Sequence, residues 1–284
     1  MRRSAVAAFG LRAALRVREW MRNAPFVRLL TIHDLAPHEH PAFAATLDHL
    51  RSRYPILDPA QFLSWLESGE PPRETAIVLT FDDAYASQAA IARDVLSPRG
   101  LRAFFFVPTG FVGLAEAQAR DFVAERLFDR AIDAAAVPPH SRPMLWRDIA
   151  YLVAQGHTIG AHTRTHPRLT DCESATLEDE IGGARHDLER QLRVPVSVFA
   201  YPFGDVASIN IAALKIIARH YRFCFSGVRG AMARAGSRLA ITRDAIDPGM
   251  SSEVVVDVVR GVYEPVYGPA RRRLTAMAQA ASSQ

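Results

Sequence analysis

The sequence predicts an α/β fold, a single deformed (β/α) barrel of about seven parallel strands. Short apolar, β-prone runs alternate with helical patterns, with no second composition and no repeat of fixed period. That order argues for one parallel sheet wrapped by helices. About seven such runs fall within roughly 220 residues, proportions that suit a closed sheet better than an open one. The residues able to do acid–base or metal chemistry stand where these runs stop, at His33, Asp82-Asp83, His162 and Tyr201-Pro202. Barrels of this kind collect their chemistry at the C-terminal strand ends.

Residues 1–25 read as a basic amphipathic helix, with Val6, Phe9, Ala13, Val17 and Trp20 on one face and six arginines elsewhere. Such a helix either packs on its own domain with solvated arginines or lies through residues 1–24 on an anionic membrane surface. Arg12 and Arg16 interrupt the apolar core that a secretory signal requires. The expected location is therefore cytoplasmic, peripheral to the inner face of the membrane. Residues 26–265 form the main domain, and 266–284 a basic tail carrying Arg271, Arg272 and Arg273.

Within the domain, residues 26–32 read as the first strand. Helices over 41–53 and 59–66 each open on a proline suited to a first turn. Residues 77–81 are continuously apolar, the signature of a strand buried on both faces, and stop at Asp82-Asp83. A helix from Ser87 ends at Pro98-Arg99-Gly100, and a strand over 102–107 carries three consecutive phenylalanines. The spacing predicts a long helix over 115–135, then helix 146–155 and strand 157–161. Helix 177–192, strand 196–201, helix 209–220 and strand 222–225 follow. A last strand over 239–242 precedes a helix over 252–262.

The net charge of +4 is too diffuse to argue for nucleic acid. Cys172 and Cys224 are far apart and give no disulfide framework. No run reaches the roughly 20 apolar residues that span a bilayer.

His162 and His166 stand four apart just past a strand, so one turn or tight loop can bring both imidazoles to one metal. Asp83 completes a set of two histidines and one carboxylate that leaves positions open for water and substrate, as catalytic zinc and related divalent sites require. A rival cluster, His33, His38 and His40, sits in a Pro- and Glu-containing stretch that reads as a polar surface loop. Two carboxylates at a buried strand end are costly unless a metal, a cation or donors meet them.

These motifs resemble those of the polysaccharide deacetylases of the NodB-homology, carbohydrate esterase family 4 type. Thr80-Phe81-Asp82-Asp83 is similar to the family's first motif, with Ala84 where glycine is usual. His162 to His166 is similar to the second, and Phe199-Ala200-Tyr201-Pro202-Phe203-Gly204 to the third. The resemblance spans roughly residues 28–246. It implies a metal, most often zinc, held by Asp83, His162 and His166, with Asp82 as general base. It also implies that the backbone N–H of Phe203 steadies the oxyanion, and that the substrate is an N-acetylated amino-sugar glycan.

Two positions depart from the family pattern. Ala200 stands where an arginine usually tethers the base, and Arg243 where a histidine usually acts as general acid. Arg243 can hold Asp82 or the oxyanion electrostatically but gives up no proton. His33 is the candidate proton donor, with a structural histidine beside Asp34 as the alternative. Trp146 and Tyr201 read either as sugar contacts or as packing. The expected activity is metal-dependent removal of acetyl from an amino-sugar glycan or glycan precursor. A glycan-binding barrel without turnover, and a deacetylase or deformylase of a small or lipid-linked amino sugar, are the alternatives.

Overall fold

The computed structural model describes residues 24–128, 130–234 and 236–283, so the helix read over residues 1–25 lies, but for its last two residues, outside the described residues. Along the chain come β1 (Val27–Ile32), α1 (His40–Arg51), β2 (Ile56–Leu57), α2 (Pro59–Ser68), β3 (Ala76–Asp82) and α3 (Ala86–Ile91). They are followed by β4 (Phe104–Val107), α4 (Glu116–Phe122), α5 (Trp146–Ala154), β5 (Thr158–Ala161), α6 (Ser174–Glu178) and α7 (Ala184–Leu192). The last are β6 (Val198–Ala200), α8 (Ile211–His220), β7 (Phe223–Phe225), β8 (Asp244–Ala245), α9 (Ser252–Val259) and α10 (Gly268–Ser282). Wider helical turns extend α3 over Ala92–Leu96 and α4 over Val123–Leu127, and join α6 to α7 over Asp179–Gly183.

Strand order is β7-β6-β5-β4-β3-β1-β8, every pair parallel, with β2 beside the first half of β3. The two ends of that order meet. Ile241 bridges Phe225 of β7, while Asp244 and Ala245 pair with Leu30 and Thr31 of β1. The last stave is therefore broken, and the strand expected over 239–242 shrinks to one bridge. The reason is local: the Arg243 N–H donates to Val228 and the Thr242 hydroxyl to the Gly230 carbonyl, so these residues turn onto the 228–230 loop.

Period-two alternation sorts the strands. Leu29, Val78, Phe104, Phe106, Val198, Phe225 and Ile241 pack inside the ring, where Phe62 and Leu66 of α2 join them. Their neighbours Leu30, Ile77, Phe105, Ile159, Phe199 and Cys224 face the helices. The phenylalanine run thus splits: Phe105 stacks outward on Phe81 at 4.8 Å, and Phe104 and Phe106 fill the ring. Gly160 makes room for them, since a Cβ there would sit 2.5 Å from the Phe106 ring. Burying each such ring contributes about 1.5–3 kcal/mol.

The helix expected over 115–135 stops at Leu127, and Phe128 is extended (φ −101°, ψ 151°). Its last turn is diverted to the site described below. The residues read as a basic tail form α10 from 268 to 282, with Leu274, Ala278 and Ala281 buried and the helix packed on α8.

Candidate active site

The C-terminal ends of the strands enclose a cavity of about 190 Å³, walled in part by Thr31, Leu127, Tyr201 and Phe203. That is below the roughly 300–1,000 Å³ of a site that swallows a drug-sized ligand, so it admits a small group from a larger molecule. Asp82, Asp83, His162, His166, His33 and Arg243 all line it.

Asp82 continues the inward register of Val78 and Thr80. Arg243 grips it with both terminal nitrogens, Nη1–Oδ1 2.7 Å and Nη2–Oδ2 2.8 Å. The guanidinium is itself fixed, donating from Nε to the Ser226 carbonyl at 2.8 Å and from Nη1 to Thr80 Oγ1 at 3.3 Å. Burial opposes the charge on Asp82, but Arg243, with help from His162, holds its carboxyl below the usual range.

Asp83 Oδ1 lies 3.5 Å from His162 Nε2 and 3.4 Å from His166 Nε2. The three ligand atoms fall within 4.8 Å of one another, and among the described residues no other group of three or more histidine, cysteine or acidic side chains does so. Nδ1 of His162 meets the Ala200 carbonyl at 2.7 Å, and Nδ1 of His166 meets the Arg126 carbonyl at 2.7 Å. A carbonyl only accepts, so each Nδ1 carries its proton and each Nε2 turns toward Asp83. Asp83 Oδ1 is buried with no hydrogen-bond partner. A buried carboxylate oxygen facing two imidazole lone pairs fits a divalent cation, which replaces their mutual repulsion with coordination. Burial opposes the Asp83 charge as well, yet when the two imidazoles are protonated their Nε2–H groups hold its carboxyl far below the usual range. Burial likewise works against a proton on His162, but Asp83 and Asp82 raise its affinity for one, so proton and ion compete for the same place.

The loops that carry these groups are strained. Among the described residues six non-glycine residues adopt positive φ, and five of them, Asp83 (78°), Ala84 (57°), Thr163 (65°), His166 (61°) and Phe203 (62°), belong to the three motifs. Such conformations persist only where surrounding contacts over-determine them. Here Glu180, buried on the wide turn between α6 and α7, accepts from the N–H groups of Arg164 and Thr165 at 2.8 Å each and from Thr165 Oγ1 at 2.6 Å. Thr163 Oγ1 accepts from the His166 N–H at 3.0 Å. Gln88 Nε2 donates to the carbonyls of Asp82 and His33 and so ties the ends of β3 and β1 together. Sequence reading missed Glu180, Gln88 and the Arg126 carbonyl. One acid in a charged helix carries no mark of burial, and a carbonyl carries no residue signature at all.

Phe203 lines the cavity, and its ring packs edge-on against His166 at 4.9 Å under the Arg168 guanidinium at 4.2 Å. Gly204 behind it has φ 70°, and a Cβ there would lie 2.4 Å from the Gly227 nitrogen. The Tyr201 hydroxyl donates to the Gly204 carbonyl at 2.8 Å, so this buried ring braces the loop. His33 is exposed at the cavity rim, apart from the three-ligand cluster. Trp146 is half-buried against the outer core.

The sequence of residues 69–220 matches the polysaccharide deacetylase family, more than half of the chain. A curated Bacillus subtilis (strain 168) relative named as a polysaccharide deacetylase, YxkH, is 20% identical over 198 residues, which are 70% of this chain and 61% of that protein. The fold is similar to the Streptococcus pyogenes deacetylase PplD in complex with acetate (TM-score 0.64, 21% identity, 84% of this chain and 99% of that one). It is also similar to IcaB from Ammonifex degensii (TM-score 0.65, 20% identity, 83% and 97%). The parallel sheet curled around an inward-facing Asp82, with the motif residues gathered at one end, is the deformed (β/α) barrel of that family, and the chain belongs to the polysaccharide deacetylases.

Proposed function

We propose that this protein is a metal-dependent hydrolase that removes N-acetyl groups from an amino-sugar glycan or glycan precursor. The observation that carries the reading is the buried, unpartnered Asp83 oxygen facing two imidazoles whose other nitrogens are fixed by backbone carbonyls. Asp83, His162 and His166 would hold a divalent ion, most often zinc for this donor set. Such an ion polarises the scissile carbonyl and lowers the pKa of water.

The chain's own groups then divide the work. Asp82, kept ionised and oriented by Arg243, uses a remaining lone pair to accept a proton from the attacking water. The Phe203 N–H donates to the carbonyl oxygen as it gains charge, a role that needs an amide and no particular side chain. His33 at the rim donates a proton to the departing amine, which Arg243 cannot do. The shallow cavity receives the acetamido group while the rest of the glycan stays outside. The reaction site is proposed to work in the cytoplasm, at the inner face of the membrane.

The test is elemental analysis of the untagged wild type and of the His162→Ala/His166→Ala double variant, dialysed identically, followed by acetate release from a panel of N-acetylated glycans. About one divalent ion per wild-type chain, absent from a folded double variant, together with acetate release that Asp82→Asn abolishes, supports the reading. Absence of an ion even after added zinc leaves a glycan-binding barrel as the function.

A further inference from the structure

Among the described residues the two most exposed large apolar side chains stand near the C-terminus. Val266 is 80% exposed and Tyr263 42%, the former in the short turn Glu264–Tyr267 that leads into α10 and the latter immediately before it. The Arg229 guanidinium lies 5.9 Å from the Tyr263 ring and 6.0 Å from the Tyr267 ring. Arg260, Arg272 and Arg273 are exposed around this tip. From residue 260 to the end of the chain the one acid is Glu264, and it is buried beneath the patch against Arg28, 3.2 Å away. The exposed side chains of this last stretch thus carry only positive charge.

The start of the described chain emerges beside the same patch. Val27 bridges Met232, and the Arg229 carbonyl at the head of that loop accepts from Arg271 of α10 at 2.9 Å. The 23 residues that precede the described part carry six arginines and a single acid, Glu19. A second copy of this face would bring like charges together, so it is not a suitable cover for the exposed Val266 and Tyr263. A polyanionic surface with an apolar layer beneath it satisfies both.

We infer that Tyr263, Val266 and Tyr267, ringed by Arg229, Arg260, Arg272 and Arg273, form a docking surface for an anionic lipid bilayer. Tyrosines suit the headgroup level, where an apolar body and a polar tip are both satisfied, and arginines nearby meet lipid phosphates. Arg229 also donates to the Ala245 carbonyl at 2.9 Å, and Ala245 lines the cavity, so docking sets the cavity wall beside the membrane surface.

The test is flotation of the full chain with phosphatidylcholine vesicles and with vesicles containing phosphatidylglycerol, across a salt series and with inorganic phosphate as a soluble competitor. Binding only to the anionic vesicles, weakened by salt and unaffected by millimolar phosphate, is expected. Arg272→Ala/Arg273→Ala should weaken it about thirty-fold at low salt, taking each charge near the surface at the usual value. Val266→Ser, at a position too exposed to matter for folding, should weaken it about five-fold. Equal binding to neutral vesicles, displacement by phosphate, or unchanged binding of both variants would overturn the inference. So would loss of all binding on deletion of residues 1–23 with both patch variants behaving as wild type. None of these readouts depends on catalysis.

Discussion

Arg243 and Asp82 are 161 residues apart in sequence and are joined by two hydrogen bonds of 2.7 and 2.8 Å inside the barrel mouth. The carboxylate that ends β3 is thus neutralised from the broken last stave, where a parallel strand gives way to a turn that aims the guanidinium inward. The tether that the family draws from its third motif, where this chain has Ala200, comes here from another wall of the same ring.

Removing that tether should harm both folding and chemistry. Arg243→Ala leaves a buried carboxylate uncompensated, at a cost of about 3–5 kcal/mol in urea unfolding. Arg243→Lys restores charge without the fork and should recover part of the stability. In acetate-release assays, the acid limb of the Lys variant's pH profile should move to higher pH, because the cation that depresses the Asp82 carboxyl is less well placed. An unmoved acid limb would separate Arg243 from the basicity of Asp82.

His33→Gln should reduce kcat by about 100-fold, with metal content unchanged. It should matter least for substrates whose leaving amine needs little protonation. A variant as fast as wild type at all pH values would make His33 a bystander at the rim.

Glu180 holds the His162–His166 loop through three acceptor contacts without touching the ligand atoms. Glu180→Ala should lower zinc affinity, read by competition with a chelator, by about tenfold or more. Glu180→Gln, which keeps an acceptor oxygen, should retain most of it. Equal affinity in all three proteins would show that the loop holds its left-handed turns unaided.

Gly204→Ala must place a methyl against the Gly227 backbone while keeping φ at 70°. The expected result is a loss of about 2 kcal/mol or more in stability and a larger fall in kcat than in metal binding, since the Phe203 amide shifts while the ligands do not. Metal titration alongside acetate release resolves the two.

His157 gives the fold a pH dependence of its own. Burial, with Arg102 nearby, pushes its pKa down to about 4, and its Nδ1 accepts from the Ala103 N–H at 3.1 Å. The folded state keeps it neutral while the unfolded chain protonates near pH 6.5, so its contribution is intact above that pH and is lost on descending to about pH 4. The full loss is about 3 kcal/mol. Urea midpoints at pH 7 and pH 4.5, both in chelator, should diverge less for His157→Gln than for wild type.

Much of this protein was legible in one dimension. Continuous apolar runs such as residues 77–81 mark strands buried on both faces, and the residues that end them, Asp82-Asp83 and His162, therefore fall at one end of a parallel sheet. Side-chain periodicity and local spacing are properties of the chain itself, which is why the barrel and the Asp83, His162 and His166 cluster could be read from it. The tertiary structure decided what depends on distant segments meeting. It stopped the 115–135 helix at Leu127, because the Arg126 carbonyl serves His166. It turned the expected tail into α10, because Leu274, Ala278 and Ala281 find α8 to pack on. It also brought Arg243 to Asp82 and Glu180 beneath the histidine loop. A sequence states which donors and acceptors exist, but a buried hydrogen bond between remote residues forms only where closure of the ring sets their distance.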